Sequence, residues 1–246
     1  MIKRLKREDI EGHRRYFLIN DNSPFNIKEA YKAIRTNMLS VLSICEGPKI
    51  VAFTSAEPGD GKTGSCANIA VTFSQMGAKV LLIDADLRKP KMNRIFHLVN
   101  NNGLSRYLTG QCPLFGEHGA IKETSYENLY VMTSGKIPPN PSELLLSKNF
   151  DNMLDEISTQ FDYIFIDSPP VCAVTDSIVI SGKTLGCFVV VRHKLTRKDV
   201  LKTALDEIEN GGGKVLGILL NDFKADKVDS PTEYRYGYRS YYYDKD

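Results

Sequence analysis

The segment Ser55-Ala56-Glu57-Pro58-Gly59-Asp60-Gly61-Lys62-Thr63-Gly64 places glycines, a lysine and a hydroxyl in the order that phosphate recognition needs. Gly59 and Gly61 let backbone amides turn inward around phosphate oxygens with no Cβ in the way. Lys62 then reaches the β- and γ-phosphates and Thr63 offers its hydroxyl to Mg²⁺, with Asp60 and Gly64 completing the loop. A helix starting at once behind the loop adds the partial positive charge of its N-terminus. Ala56 stands where the strict Walker A pattern has its leading glycine, so the match is slightly loose.

Two further segments carry carboxylates at the ends of apolar runs. Asp84 and Asp86 stand two apart after Val80–Ile83, and Arg88 follows them. Side chains at i and i+2 at a strand end point the same way, toward whatever occupies the crevice. Alone such a pair reads as a turn or a helix cap. Beside a phosphate loop it reads as a site for the cation that accompanies a nucleotide. Asp167, closing Tyr163–Ile166, supplies a Walker B carboxylate. The three motifs together point to hydrolysis or transfer of ATP or GTP, and spacing alone does not say which.

These residues need strands to hold them. The runs Ile50–Thr54, Val80–Ile83, Tyr163–Ile166 and Phe188–Val191 are apolar nearly throughout, which predicts parallel strands covered on both faces. Val215–Leu220 reads as another and Leu129–Met132 as a weaker one. Helices are expected over Thr63–Gln75, Thr175–Ser181 and Thr196–Asn210, the last with Thr196 as N-cap and Gly211-Gly212-Gly213 as its stop. Residues 26–44 read as a further helix with Pro24 near its start. Alternating strands and helices predict a doubly wound α/β fold, a mostly parallel sheet flanked by helices, with ligands at the carboxyl ends of the strands.

The whole chain has 246 residues, with 32 Lys+Arg against 30 Asp+Glu, 42% hydrophobic and 25% charged. That balance excludes collagen-like, disordered and membrane-spanning classes for the bulk of it and argues against a dedicated nucleic-acid binder. The five cysteines include no C-x-x-C pair, so neither a disulfide framework nor a zinc site is expected. The basic N-terminus lacks the apolar core of a secretory signal, and a cytoplasmic protein is expected. Three regions follow: a basic arm over 1–23, a nucleotide-binding domain over 24–222, and a tail over 223–246. The tail has almost no aliphatic residues and is expected to be disordered.

The D-x-D-x-R segment at Asp84, Asp86 and Arg88, standing beside Walker A and B, resembles the bacterial tyrosine kinases (BY-kinases) of capsule and exopolysaccharide operons. Ser168-Pro169-Pro170 with Asp176, and Asn140-Pro141-Ser142-Glu143-Leu144-Leu145, are similar to segments of the same family. Glu29, Lys32 and Arg35 resemble its E-x-x-R-x-x-R oligomerisation helix. Lys32 stands at the usual first arginine, which keeps the charge and loses the bidentate fork. The resemblance runs from about Pro24 to the C-terminus. The related partition and division-site ATPases, slow hydrolytic switches that act through binding, are the alternative. They carry a signature lysine five residues before the Walker lysine, where this chain has Glu57.

The resemblance implies transfer of the ATP γ-phosphoryl to tyrosine. Lys62 and the loop amides would hold the phosphates, Thr63 with Asp84, Asp86 and Asp167 would hold Mg²⁺, and Asp84 or Asp86 would be the base. Arg88 would balance charge or hold its loop, and Asn221 would read the adenine edge. Six of the twelve tyrosines lie in the last thirteen residues: Tyr234, Tyr236, Tyr238, Tyr241, Tyr242 and Tyr243. Taken alone, such a cluster reads as a sticky segment. Within the resemblance it looks like an autophosphorylation tail, and in a parallel sheet it would leave Val215–Leu220 on the edge that carries the Walker loop. The resemblance further implies a ring-forming homo-oligomer joined through the N-terminal helix and a cognate tyrosine phosphatase. A separate membrane activator, whose cytoplasmic tail docks on the nucleotide side, would recruit the chain to the inner membrane face.

Overall fold

The computed structural model describes residues 18–223. In chain order the elements are α1 (Phe25–Ser43), β1 (Ile50–Ser55), α2 (Lys62–Ser74), β2 (Val80–Asp84), α3 (Met92–Ile95), α4 (Leu104–Leu108), β3 (Ile121–Glu123), β4 (Leu129–Met132), α5 (Pro141–Leu146), α6 (Lys148–Ser158), β5 (Tyr163–Asp167), α7 (Asp176–Gly182), β6 (Cys187–Arg192), α8 (Lys198–Asn210) and β7 (Val215–Asn221). The strands form one seven-stranded sheet in the order β3-β4-β2-β5-β1-β6-β7. Every neighbouring pair is parallel except β3–β4. The expected doubly wound architecture is therefore the one observed.

Continuous apolarity in the central strands hides a two-sided pattern. Ala52, Leu81, Ile83, Ile164, Ile166 and Val189 face one core, packed under α5 to α8. Val51, Phe53, Leu82, Phe165 and Val190 face the other, under α1 and α2. Successive residues of a strand point to opposite faces, so a strand covered on both sides needs both registers apolar. The second core centres on Phe165, whose ring meets Phe53 and Phe73 edge to face at centroid distances of 5.5 and 5.0 Å.

Helix α1 lies on α2. The Arg35 guanidinium donates to the Thr72 carbonyl (2.7 Å) in the last turn of α2. Upstream of Pro24, Leu18–Ser23 also meet α2: the Ile19 amide donates to Asn68 Oδ1 (2.8 Å), and Asn68 Nδ2 donates to the Gly64 carbonyl (2.9 Å). Several details differ from the sequence reading. Thr196 does not cap α8: Arg197 holds that position, and the Thr196 hydroxyl instead accepts from the Arg192 amide and donates to Asp60. Over 141–158, where no element is expected from sequence, α6 forms with Ser147 as its cap and Phe150, Met153, Leu154 and Ile157 buried at helical spacing. β7, the last strand of the sheet, is not covered on both faces: Ile218 and Leu220 are half exposed.

Phe165 fills the second core with no exposed surface. Phe165→Ala should lower unfolding free energy by about 3–5 kcal/mol, measured by urea denaturation. A loss below about 1 kcal/mol would contradict this packing.

Candidate active site

The three motif-bearing strands β2, β5 and β1 are adjacent in the sheet. Backbone bonds carry the ladder past their ends: Ala85 N to Asp167 O (2.8 Å), Ser168 N to Phe53 O (3.0 Å) and Val171 N to Ser55 O (2.8 Å). Three loops therefore leave one edge in fixed relation.

After β1 the chain turns through Gly59 (φ +97°) and Gly61 (φ +89°) into α2. Gly61 is required twice over. Its backbone is left-handed, and a Cβ there would lie 1.9 Å from Asn221 Nδ2. That nitrogen donates to the Asp60 carbonyl (2.8 Å), so the end of β7 braces the loop. The Asp60 carboxylate faces away from the loop's interior: Oδ1 accepts from Thr196 (2.8 Å) and Oδ2 from the Glu57 amide (3.2 Å). Sequence reading gives Thr196 no part here, because a contact 136 residues apart leaves no local signal.

Lys62, 6% exposed, places Nζ 2.5 Å from Asp167 Oδ1 and 3.3 Å from Thr63 Oγ1. Asp84 and Asp167 stand opposite each other in the β2–β5 register, 0% and 1% exposed. One Asp84 oxygen accepts the Lys91 and Met92 amides, both at 3.0 Å. Its other oxygen and Asp167 Oδ2 are buried without a hydrogen-bond partner. Two buried carboxylates thus stand beside one ammonium, which pairs with Asp167. Burial and the neighbouring Asp167 charge push the Asp84 carboxyl up to about 7. Burial also raises Asp167, against the pull of Lys62. For Lys62, burial works against the charged form, but the charge and hydrogen bond of Asp167 prevail and hold it above its usual range.

Among the described residues no group of three or more His, Cys, Asp or Glu could hold a metal by itself. A nucleotide-borne Mg²⁺ asks for less: one or two carboxylates, with phosphates and water completing the shell. The two orphaned oxygens fit that demand. Asp86 sits at the rim, partly buried, with Oδ1 accepting the Lys89 amide (2.9 Å). Glu29, Lys32 and Arg35 lie apart on α1, where Glu29 and Lys32 pair with each other at 2.8 Å. The six tail tyrosines lie outside the described residues.

The chain matches a family model described as an AAA domain over residues 48–185. CapB of Staphylococcus aureus is 39% identical over 220 residues, 89% of this chain and 94% of its own. The tyrosine-protein kinase YwqD of Bacillus subtilis is 38% identical over 208 residues, 85% of each chain. This chain belongs to the bacterial tyrosine-protein kinases. Among solved structures, the chimerical protein CapA2B2 superimposes with a TM-score of 0.75 at 35% identity, covering 89% of this chain and 99% of that one. The cell division ATPase MinD of Pyrococcus furiosus, at 22% identity and a TM-score of 0.62 over 77% of this chain and 78% of its own, shares the fold.

Within this tyrosine-kinase site the three family segments read from sequence converge on one side chain. Arg88 donates through Nε to Asp176 Oδ2 (2.8 Å) and through Nη2 to Asp176 Oδ1 (3.2 Å) and Ser142 Oγ (3.0 Å). Ser142 in turn donates to Asp176 Oδ1 (2.6 Å). Asp176 is fully buried. The guanidinium is thus spent on anchoring the Asp84–Asp86 loop, so of the two roles expected for Arg88 the geometry favours holding the loop. Asp176 and Ser142 had a signal only through the family segments that contain them.

Asp84 titrates near 3.8 in an unfolded chain and about 7 in the fold. The folded state therefore keeps a proton that the unfolded chain releases. The corresponding stability is complete below pH 3.8 and is lost as pH rises through about 7. Asp84→Asn should raise the melting temperature of the nucleotide-free protein more at pH 8 than at pH 5. An equal shift at both would contradict the assignment.

Proposed function

We propose that the chain is an ATP-dependent kinase that phosphorylates its own C-terminal tyrosines and thereby regulates capsule or exopolysaccharide synthesis and export. The observation that carries this reading is the shared edge. Asn221, from whose strand the tyrosine-rich tail departs, already touches the loop that holds Lys62.

In the reaction the γ-phosphoryl oxygens replace Asp167 as partner of the Lys62 ammonium, and the inward-turned loop amides bind the remaining phosphates. The Asn221 side-chain Oδ1 is left to accept from the exocyclic amine of adenine, Nδ2 being held by the Asp60 backbone carbonyl. Thr63, Asp84 and Asp167, with Asp86 near them, would hold Mg²⁺, which would supply neutralisation of charge developing on the phosphates. A tyrosine phenol, with a pKa of about 10, enters mostly protonated. Asp86 takes that proton: it stands at the open rim, whereas Asp84 is enclosed with one oxygen committed to two amides. Asp176 and Ser142 keep Arg88, and so the loop bearing Asp86, in position.

Residues 223–246 hold five basic and five acidic groups. Each phosphotyrosine adds about −1.5 to −2, so full modification adds roughly −9 to −12. A neutral tail thereby becomes one that the acidic mouth at Asp84, Asp86 and Asp167 repels, which loosens any ring in which tails occupy neighbouring sites. Glu29 and Lys32, exposed on α1, are the contacts proposed for that ring. Arg35 supports α1 from within the subunit. No described helix is long and apolar enough to cross a membrane. The proposed partners are the cytoplasmic tail of a membrane activator, which recruits the kinase to the inner membrane face, and a tyrosine phosphatase that resets the tail.

Intact mass after incubation with MgATP tests the reading. The parent should gain successive single phosphates, and both Lys62→Met and a chain ending at Lys227 should gain none. ATP consumed while the parent mass stays fixed, also after the cytoplasmic tail of the membrane activator is added, would contradict it and favour a hydrolytic switch.

A further inference from the structure

In-line transfer fixes the side from which an acceptor arrives. The attacking oxygen stands opposite the leaving one, so it approaches the γ-phosphorus from the side away from ADP. Across the sheet the parallel strands stand in the order β4, β2, β5, β1, β6, β7. With the base at Asn221 and the phosphates at Lys62, the triphosphate points away from β7, toward Asp167 on β5 and Asp84 on β2. The acceptor therefore enters over the ends of β2 and β4, at the far end from Asn221. Ile83 pairs with Met132, so the loop after β4 leaves level with Asp84, one strand spacing of about 4.8 Å away.

The surface there is held firmly and left open. Asn100 binds the loop after α3 to the loop after β4: its Nδ2 donates to the Gly135 carbonyl (2.9 Å) and its Oδ1 accepts from the Gly135 amide (3.0 Å). Ser105 Oγ donates to the Lys136 carbonyl (2.6 Å), and a Cβ at Gly103 would collide with the Thr133 carbonyl. On these fixed loops Val99 and Ile137 are each 64% exposed. The segments 85–91, 97–103 and 134–140 carry Arg88, Lys89, Lys91 and Lys136 against Asp86 alone. Arg88 is spent on Asp176. Lys89, Lys91 and Lys136 are exposed, and among the described residues no ion pair holds them. Exposed aliphatic groups rimmed by unpaired ammonium groups fit an aromatic ring with carboxylates beside it.

We propose that Val99 and Ile137, with Lys89, Lys91 and Lys136, form the acceptor platform of the kinase, and that its occupant is the tail of a second copy, taken first at a tyrosine followed by acid. This rests on the kinase reading and supplies its acceptor specificity. The chain's own tail leaves at β7 and would have to lie across the bound nucleotide to arrive, whereas a neighbour's tail comes from the open side. Tyr243 meets the charge requirement, with Asp244 and Asp246 after it, while Tyr236 and Tyr238 have only arginine and glycine beside them. On the platform the phenol oxygen bonds to the γ-phosphorus as the bond to the bridging oxygen of the departing ADP breaks, and the phenol proton passes to Asp86. The new phosphate then faces the acidic mouth, so repulsion acts on the modified residue while the lysines hold carboxylates beside an unmodified one.

Photo-crosslinking tests the occupant without needing activity. Full-length Lys62→Met protein carrying Ile137→p-benzoylphenylalanine, mixed with an excess of isotope-labelled Lys62→Met chain, should crosslink position 137 to residues 228–246 of the labelled copy. Crosslinks that stay within the unlabelled chain, or that miss the tail, overturn the proposal. Specificity is read with two full-length chains, MgATP and the activator's cytoplasmic tail. The kinase copy has its six tail tyrosines changed to phenylalanine, and the substrate copy is Lys62→Met. Tyr243 should gain phosphate about five-fold faster than Tyr236, and Lys89→Glu with Lys136→Glu in the kinase copy should erase that preference. Val99→Ser with Ile137→Ser in the kinase copy should lower kcat/KM for the substrate chain by about five-fold or more, with MgATP affinity reporting an intact nucleotide site. The same pair in the substrate copy should change nothing. Equal rates at the two tyrosines, or a kinase-copy variant as fast as its parent, overturns the proposal. If no tyrosine gains phosphate while the crosslink to the second copy's tail forms, the kinase reading fails and the platform stands.

Discussion

Two buried carboxylates facing one buried ammonium set the terms for everything around them. Asp84 and Asp167 are opposed in register, and only Asp167 has Lys62. A buried polar atom without a partner costs on the order of 1–3 kcal/mol, and more when charged. The fold tolerates this because the strands carrying these groups lie inside the sheet, covered by a core on each face. What remains uncompensated is a demand for positive charge at the sheet edge, beside a loop of amides that demands negative charge. A nucleotide carrying its cation answers both.

Hydrogen bonds bring distant parts of the chain together at the phosphate loop. Asp60 is held from three directions: by its own loop at Glu57, by Thr196 after β6, and by Asn221 at the end of β7. Arg192 links the last two, since its amide bonds to Thr196 and its guanidinium to Asp222. The root of the tail and the phosphate loop are therefore parts of one hydrogen-bonded body. Tail departure and nucleotide binding at one edge follow from parallel topology, in which every strand but the antiparallel β3 ends on the side where the loops converge.

How much of this could be read from the chain depends on the range of the interaction. The central strands announce themselves because burial on both faces forces unbroken apolar runs, and β1, β2, β5 and β6 form where those runs stand. Gly59 and Gly61 were legible because a left-handed backbone admits few other residues. Three-residue β3 is too short to carry a period, and its strand state comes from pairing with β4. Thr196 has the chemistry of a cap and precedes a helix, yet a partner far away in sequence claims its hydroxyl. Arg88 is similar: its type and place left open charge balance near the phosphates or a hold on its loop, and only the fold brings Asp176 and Ser142 within reach. The exposure of Ile218 and Leu220 follows from strand order, which apolarity does not encode.

The claim that the carboxylate pair is completed by a nucleotide-borne cation is tested most directly by titrating ATP into the Lys62-intact protein with Mg²⁺ and then with chelator. The account predicts binding at least about ten-fold weaker without Mg²⁺, with most of that dependence lost in Asp84→Asn and in Asp167→Asn. Equal affinity with and without Mg²⁺, or a dependence that survives both substitutions, would contradict it.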